Sequence, residues 1–553
     1  MKNKTKNTIA ILNSYLQSKF TSRKTIVSGE CEIAQNLFKR KTNHTAFLVS
    51  AVLFLFLSLF SASGEALGAS YTVNLDTDVG DAKEADGICD SDLVMPGEQC
   101  TLRAALTESN YIAGIDSISF SLPLPSVISL TGLYGELQIY DSVSINGPGA
   151  RALTIERNSS GGFGNFRIFH ISGLNNGVSI SGVTITNGNS TNHYSSDTCS
   201  GAGGGICLTS ASLSLTDVTV RNNTATFGGG IYNSGNLSVR NSTINNNQAS
   251  SGAGGIYTSG GSTANIINST ISNNIVTNSS DGGGGVYNIG ATVLTNATVS
   301  SNTTTGPGGG VRNASGTLSA RNTIIAGNTA DTNPDVAGTL NSLGNNLIGI
   351  SAGNNGVTNN VNGDKVGTSA APINPLLGPL QSNGGPTDTR ALLPGSPAID
   401  AGNNCVAESA PTGCLNVPLT TDQRGAGFPR RLDGDNNGTA TVDIGAFEAT
   451  TMTPTAASVT VGGRVKTADG RGIKNVIVTM SFPSGEQRSV VSGVFGYYRF
   501  SDVPAGETYV FTVVAKRYSF SQPSQLRNIA GDDNGIDFIA GAPVFAANKI
   551  TEQ

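Results

Sequence analysis

The chain has 553 residues, of which 71 are Gly and none is Trp, with 13% charged residues and a formal net charge of −5. So much Gly with so little charge argues against an ordinary α/β enzyme, and the small net charge gives no basis for nucleic-acid binding. No Lys occurs between Asp86 and Asp364, so the centre of the chain has no basic groove.

Residues 1–69 read as an export signal with an extended n-region, or as a signal preceded by residues upstream of the true start. Lys39-Arg-Lys41 precedes the apolar run Ala46 to Phe60, and small residues around Ala66-Leu-Gly68 and Ala69 offer a cleavage site. The run is shorter than the ~20 residues of a spanning helix, so membrane contact is expected only if this signal stays uncleaved.

Residues 70–122 begin with the strand-like Tyr71-Thr-Val-Asn-Leu75 and a stretch rich in Asp: Asp76, Asp78, Asp81, Asp86, Asp90 and Asp92. Leu102, Ala105 and Leu106 then share one face of a predicted short helix. A helix here suits the first rung of a stacked fold, whose open edge and apolar end need a cap.

Residues 123–350 carry a repeat. Asp217-Val-Thr-Val-Arg-Asn-Asn223 returns as Asn241-Ser-Thr-Ile-Asn-Asn-Asn247, Asn268-Ser-Thr-Ile-Ser-Asn-Asn274, Asn296-Ala-Thr-Val-Ser-Ser-Asn302 and Asn322-Thr-Ile-Ile-Ala-Gly-Asn328, at intervals of 24, 27, 28 and 26. Between them runs a Gly-rich phrase ending Ile206-Cys207, Ile231-Tyr232, Ile256-Tyr257, Val286-Tyr287 and Val311-Arg312. Each unit holds strands of a few residues that cannot bury their apolar face alone. Coiling stacks every strand on its equivalent ~4.8 Å away, so the pattern predicts an all-β fold, a right-handed parallel β-helix. The terminal Asn of each copy is expected to form an internal amide ladder, and the Gly runs to turn corners. No Gly run is followed by Lys-Ser or Lys-Thr, so none reads as a phosphate loop.

Residues 351–448 contain Asn374-Pro-Leu-Leu-Gly-Pro-Leu380, Asn383-Gly-Gly-Pro-Thr387, Leu393-Pro-Gly-Ser-Pro-Ala-Ile-Asp-Ala-Gly402, Asp422-Gln-Arg-Gly425 and Asp443-Ile-Gly-Ala-Phe-Glu448. These phrases resemble the choice-of-anchor Q domain, and Cys100-Thr-Leu-Arg-Ala-Ala105 resembles the CSLREA-type segment of secreted bacterial β-helix proteins. The resemblance spans most of residues 71–448. It implies a pectate-lyase-like parallel β-helix that is exported or surface-associated, and it implies no reaction. Such a domain commonly precedes a sorting signal, whereas here another domain follows and no Leu-Pro-x-Thr-Gly motif is present.

That domain comes after a linker, residues 449–458. From 459 to 541, short alternating segments such as Val476-Ile-Val-Thr-Met480 and Tyr509-Val-Phe-Thr-Val-Val514, separated by turn signals, predict a small C-terminal β-sandwich. The pattern resembles the carboxypeptidase regulatory-like module, a non-catalytic appendage. Tyr497, Tyr498, Phe500, Tyr509 and Tyr518 are either its core or a binding face. Residues 542–553 form a tail.

Without Cys31 of the signal, Cys89/Cys100, Cys199/Cys207 and Cys405/Cys414 form local couples, which predicts disulfides between neighbours, each contributing about 2–3 kcal/mol. Export to the cell surface or beyond fits this usage.

Hydrolysis of a glycosidic bond needs facing carboxyls, and lyases need acids for calcium plus a base. Between residues 161 and 330 the acids are only Asp197, Asp217 and Asp281. Arg221, Arg240, Arg312 and Arg321 lie in or beside the repeats and suit weak contact along one face with an acidic glycan. Asp433-Gly-Asp-Asn-Asn437-Gly438 begins like an oxygen-ligand loop, so Asp433, Asp435, Asn437 and Asp443 are the candidate calcium ligands, although Ile444 takes the twelfth position. The Asp76–Asp92 stretch is a second candidate. The sequence thus points to a non-catalytic adhesion-like or structural protein with polysaccharide or cell-surface glycan as partner. A polysaccharide lyase or hydrolase, and a passive spacer, are the rival readings.

Overall fold

The computed structural model describes residues 68–159, 164–173, 177–193, 199–278, 281–351, 356–450, 458–482 and 487–543. Residues 1–67 of the export-signal segment and Asp197 lie outside them. Among the described residues, no helix is long and apolar enough to cross a membrane.

The repeat stacks residue on residue. Ile206 pairs with Ile231, Ile231 with Ile256, Ile256 with Val286, Val286 with Val311 and Val311 with Val336, always in parallel. On a second wall Val220, Ile244, Ile271, Val299, Ile325 and Ile348 do the same. Both rows are fully buried, and with their neighbours they make one continuous apolar core. Three parallel sheets, of 16, 10 and 4 strands among the described residues, form the walls of a β-helix. The helix Leu102–Ser109 covers its first rungs: Thr101 caps it by accepting the Ala104 amide at 3.0 Å, and Leu102, Ala105 and Leu106 all join the core.

Both ends of the repeated phrase occupy left-handed backbone. The first residues Asp217, Asn241, Asn268, Asn296 and Asn322 have φ of 46–56°, and the sixth residues Asn222, Asn246 and Asn273 have φ of 55–59°. Asn tolerates that region better than other side chains, which accounts for the Asn-rich corners. The seventh residue forms the expected ladder. Asn247 Nδ2 donates to Asn274 Oδ1 at 3.0 Å and to the Val220 carbonyl at 3.0 Å, while Asn247 Oδ1 accepts the Asn223 amide and Asn223 Nδ2. The line continues through Asn302 and Asn328 and stops at Asp335, whose carboxylate accepts both Asn328 N–H donors. A carboxylate has nothing to pass on, so it ends the chain of donors. A shorter line ends likewise, where Asn346 donates twice to Asp364. Gly205 belongs to the close approach between rungs, since a Cβ there would lie 2.7 Å from the Gly230 carbonyl oxygen.

Residues 374–449 return along the outside of the second wall as a strap. The phrase supplies its anchor points. Thr243 Oγ1 donates to the Asp388 carbonyl at 2.6 Å, Thr270 Oγ1 to Gln423 Oε1 at 2.6 Å, and Thr298 Oγ1 accepts the Ala446 amide at 3.0 Å. Asn268, Asn322 and Asn345 donate to the carbonyls of Thr421, Asn403 and Ala401. Arg424 locks the strap, held between the rings of Phe428 and Phe447 at 4.0 and 3.7 Å and paired with Asp422 at 2.6 Å.

Beyond the linker, two four-stranded sheets form the sandwich. Tyr498, Phe500 and Tyr509 belong to its core with Val478, Met480, Phe511 and Phe538, whereas Tyr497 is 63% exposed.

Candidate functional site

The predicted calcium loop is rearranged by the fold. Asp433 and Asp435 meet Asp400, each offering a carboxylate oxygen within 4.8 Å of the others. Asp400 is pushed up by burial and by the Asp435 carboxylate, and its Oδ1 is enclosed with no hydrogen-bond donor. The other predicted ligands stand elsewhere. Asn437 Oδ1 accepts the Thr439 amide and its Nδ2 donates to Asp435, so its side chain serves the turn. Asp443 is buried and accepts the amides of Asp400 at 2.7 Å and Ala449 at 2.5 Å, which removes it from the loop surface. The oxygen set able to hold a hard cation is therefore Asp400, Asp433 and Asp435.

Asp443 instead shares a buried network with Glu448 and Arg430, whose Nε lies 3.6 Å from Glu448 Oε2. Burial pushes the Asp443 carboxyl up to about 7, against the amides of Ala449 and Asp400 and the charge of Arg430. Burial also pushes Glu448 well above its ordinary range, with Arg430 opposing.

In the N-terminal Asp stretch, Asp81 and Asp86 converge with the buried helix residue Glu108. Glu108 is already satisfied by the amides of Ala85 and Gly87, each at 2.6 Å. Asp78 pairs with Arg103 at 2.6 Å. These acids hold the cap together.

Sequence reasoning missed one cluster. Glu136 receives Arg167 at 2.9 Å, His170 Nδ1 at 3.3 Å and His193 Nε2 at 3.5 Å. Arg167 is fully buried, beside the Cys199–Cys207 disulfide, and donates to the Cys199 and Ala202 carbonyls. Burial raises the Glu136 carboxyl, but the His170 hydrogen bond and the Arg167 charge outweigh it and hold the group below its ordinary value. His170 stacks on Gln138 and Cys207, and His193 lies between His170 and Cys207 in the chain, so no repeat spacing announced the cluster.

The acids of the regular rungs do not meet. Asp217 is pushed up by burial and bonds to Asn241, while Asp281 accepts from Ser251 at 3.1 Å. Nor do the arginines form one row. Arg240 and Arg321 share a column of the first wall, Arg221 lies on the second, and Arg312 follows the stacked Tyr232, Tyr257 and Tyr287. Those rings pile at 5.1 Å intervals, so their faces are occupied by one another.

What stays open is the outer face of the first wall. Ser212, Asn236, Thr263, Ala291 and Thr317 form one column and Ser214, Ser238, Asn265 and Val293 another, which ends on the buried Ser319. All ten are uncharged.

Fold and surface together define a disulfide-bonded parallel β-helix with a strapped wall, an open polar wall and an appended β-sandwich, and the cysteines pair as Cys89–Cys100, Cys199–Cys207 and Cys405–Cys414. Residues 460–540 match the carboxypeptidase regulatory-like domain. Among solved structures, the crystal structure of pectate lyase Pel9A is similar at 15% identity and a TM-score of 0.39, covering 70% of this chain and 98% of that one. No curated protein matches the chain.

Proposed function

We propose that this is an exported, surface-associated, non-catalytic β-helix protein that binds polysaccharide along its open wall. The observation that carries the reading is the double column of short uncharged side chains on that wall, with Asp217 and Asp281 held apart from it and from each other. Such a surface offers many hydroxyl and amide contacts and no acid–base pair. Three disulfides support an oxidising compartment, and the resemblance to choice-of-anchor Q proteins supports display at the surface. Incubating the exported chain with uronic and neutral polysaccharides, and measuring bound protein and new chain ends together, is expected to give binding without cleavage. Replacing Asn236 and Asn265 by Ala should weaken it. Released ends would overturn the reading, and neither signal would leave a passive spacer.

The rival enzyme reading has one observation in its favour, the convergence of Glu136, Arg167, His170 and His193. If chain ends are released, Glu136→Gln is the first variant to assay.

Calcium is proposed as a structural ligand of Asp400, Asp433 and Asp435. Calcium at a hundredfold over its Kd is then expected to add about 2.7 kcal/mol of stability. The gain should vanish in an Asp433→Ala, Asp435→Ala double variant; an unchanged melting shift there would remove the site.

A further inference from the structure

We propose that the C-terminal β-sandwich carries a second glycan contact, a groove around Tyr497 and Arg499 that takes a uronic-acid residue. The inference rests on the glycan-binding reading above but concerns a different module.

Strand alternation creates the groove. In Tyr497–Pro504, Tyr498 and Phe500 point into the core, which turns Tyr497 and Arg499 outward. With Val490, Val491 and Asn534 these two line a groove of about 660 Å³. Its wall includes Gly463, where a Cβ would lie 2.0 Å from the Ile536 carbonyl oxygen, so the backbone there stays bare.

The charges around it are unequal. The Arg464 guanidinium stands 5.2 Å from the Tyr497 ring centroid, and its Nε donates to the Phe495 carbonyl at 2.8 Å. Arg499 Nη2 donates to Thr460 Oγ1 at 3.0 Å. Among the described residues neither guanidinium has a carboxylate partner, whereas Lys466 pairs with Asp537 at 2.6 Å and Arg471 with Asp469 at 3.2 Å. The nearby acids Asp532 and Asp533 accept the backbone amides of Thr460 and Gly535. A solvent-facing aromatic ring, the Arg499 guanidinium and Asn534 therefore share one concavity, with the Arg464 guanidinium set against the Tyr497 ring. The ring suits the C–H face of a sugar, and a guanidinium suits a carboxylate in bidentate geometry. A uronic-acid residue presents both together.

The test uses the full exported chain and calorimetry with a galacturonic-acid oligosaccharide, its methyl-esterified form and a poly-glutamate peptide. Binding of the acid oligosaccharide over its methyl ester is expected, with about tenfold weaker sandwich-site affinity in Tyr497→Ala and in Arg499→Gln and with the preference for acid over ester lost in Arg499→Gln. Arg471→Gln, an exposed but paired arginine of the same module, should bind as the parent does. Unchanged melting of all three variants shows that the module stays folded. Parent-like binding in both groove variants overturns the site, as does equal affinity for the esterified sugar or a preference for poly-glutamate. The Asn236→Ala, Asn265→Ala wall variant separates the two readings. If it alone loses the acid sugar, the sandwich site is wrong and the open wall stands; if no form of the chain binds any sugar, both fall.

Discussion

Asn274→Ala is expected to destabilise the β-helix by on the order of 4 kcal/mol, a large fraction of a domain's stability. The substitution removes the acceptor of both the Asn247 amide and Asn247 Nδ2, and the donor to the Ile244 carbonyl and to Asn302 Oδ1. These groups sit where water does not reach, and a buried polar group left unpaired costs about 1–3 kcal/mol. Asn274→Asp should also be costly, because its carboxylate would face Asn302 Oδ1 with no proton to give. Asn265→Ala, on the exposed wall, should stay within about 0.5 kcal/mol. Denaturant midpoints of the three variants decide the matter, and equal midpoints for Asn274→Ala and Asn265→Ala would mean that the ladder contributes nothing.

The second large effect is on pH. Asp443 rises from an ordinary 3.8 to about 7, and Glu448 moves in the same direction, both through burial within the strap. In the window between pH 4 and 7 the folded state therefore holds protons that the unfolded state has released. Stability must fall as pH rises through that window. For Asp443 alone the difference amounts to about 4 kcal/mol at 1.36 kcal/mol per tenfold. The other charged groups facing the pair are Arg430 and Asp400, and Arg430 limits the effect without reversing it. Glu136 acts oppositely, since its lowered carboxyl adds stability above its ordinary range and loses it in acid. Urea unfolding at pH 5 and pH 8 separates the two, and the strap network predicts the higher midpoint at pH 5. In Asp443→Asn the slope should flatten; a slope as steep as the parent's would place the titrating group elsewhere.

The wall-forming part of the chain was readable because stacking imposes the same demand at every rung. The apolar residue that faces the core at Ile206 faces it again at Ile231 and Ile256, and the Asn that closes each phrase bonds the next. What the repeat does on its outer side was not readable. Thr243 and Thr270 recur as faithfully as the core residues, yet their partners, the Asp388 carbonyl and Gln423, come from more than a hundred positions away and repeat nothing. Asp335 and Asp364 terminate their ladders by accepting from the last Asn with no donor of their own, and neither belongs to a copy of the phrase. In the calcium loop the spacing pointed to Asp443, but the chain folds Asp400 into that place, and burial claims Asp443 for the network with Arg430. The Glu136 cluster drew on four rung positions that share no local pattern.

The strap has a consequence for how such a chain can change length. A coil of identical rungs ordinarily gains or loses a unit at little cost, since each touches only its neighbours. Here one segment of fixed length crosses the rungs back and forth, pinned to Thr243 through Asp388, to Asn322 through Asn403, to Thr270 through Gln423 and to Thr298 through Ala446. Insert a twenty-odd-residue unit among those rungs and every later anchor moves out of step with its partner. The strap therefore works as a ruler, and the number of rungs beneath it is inherited as a set.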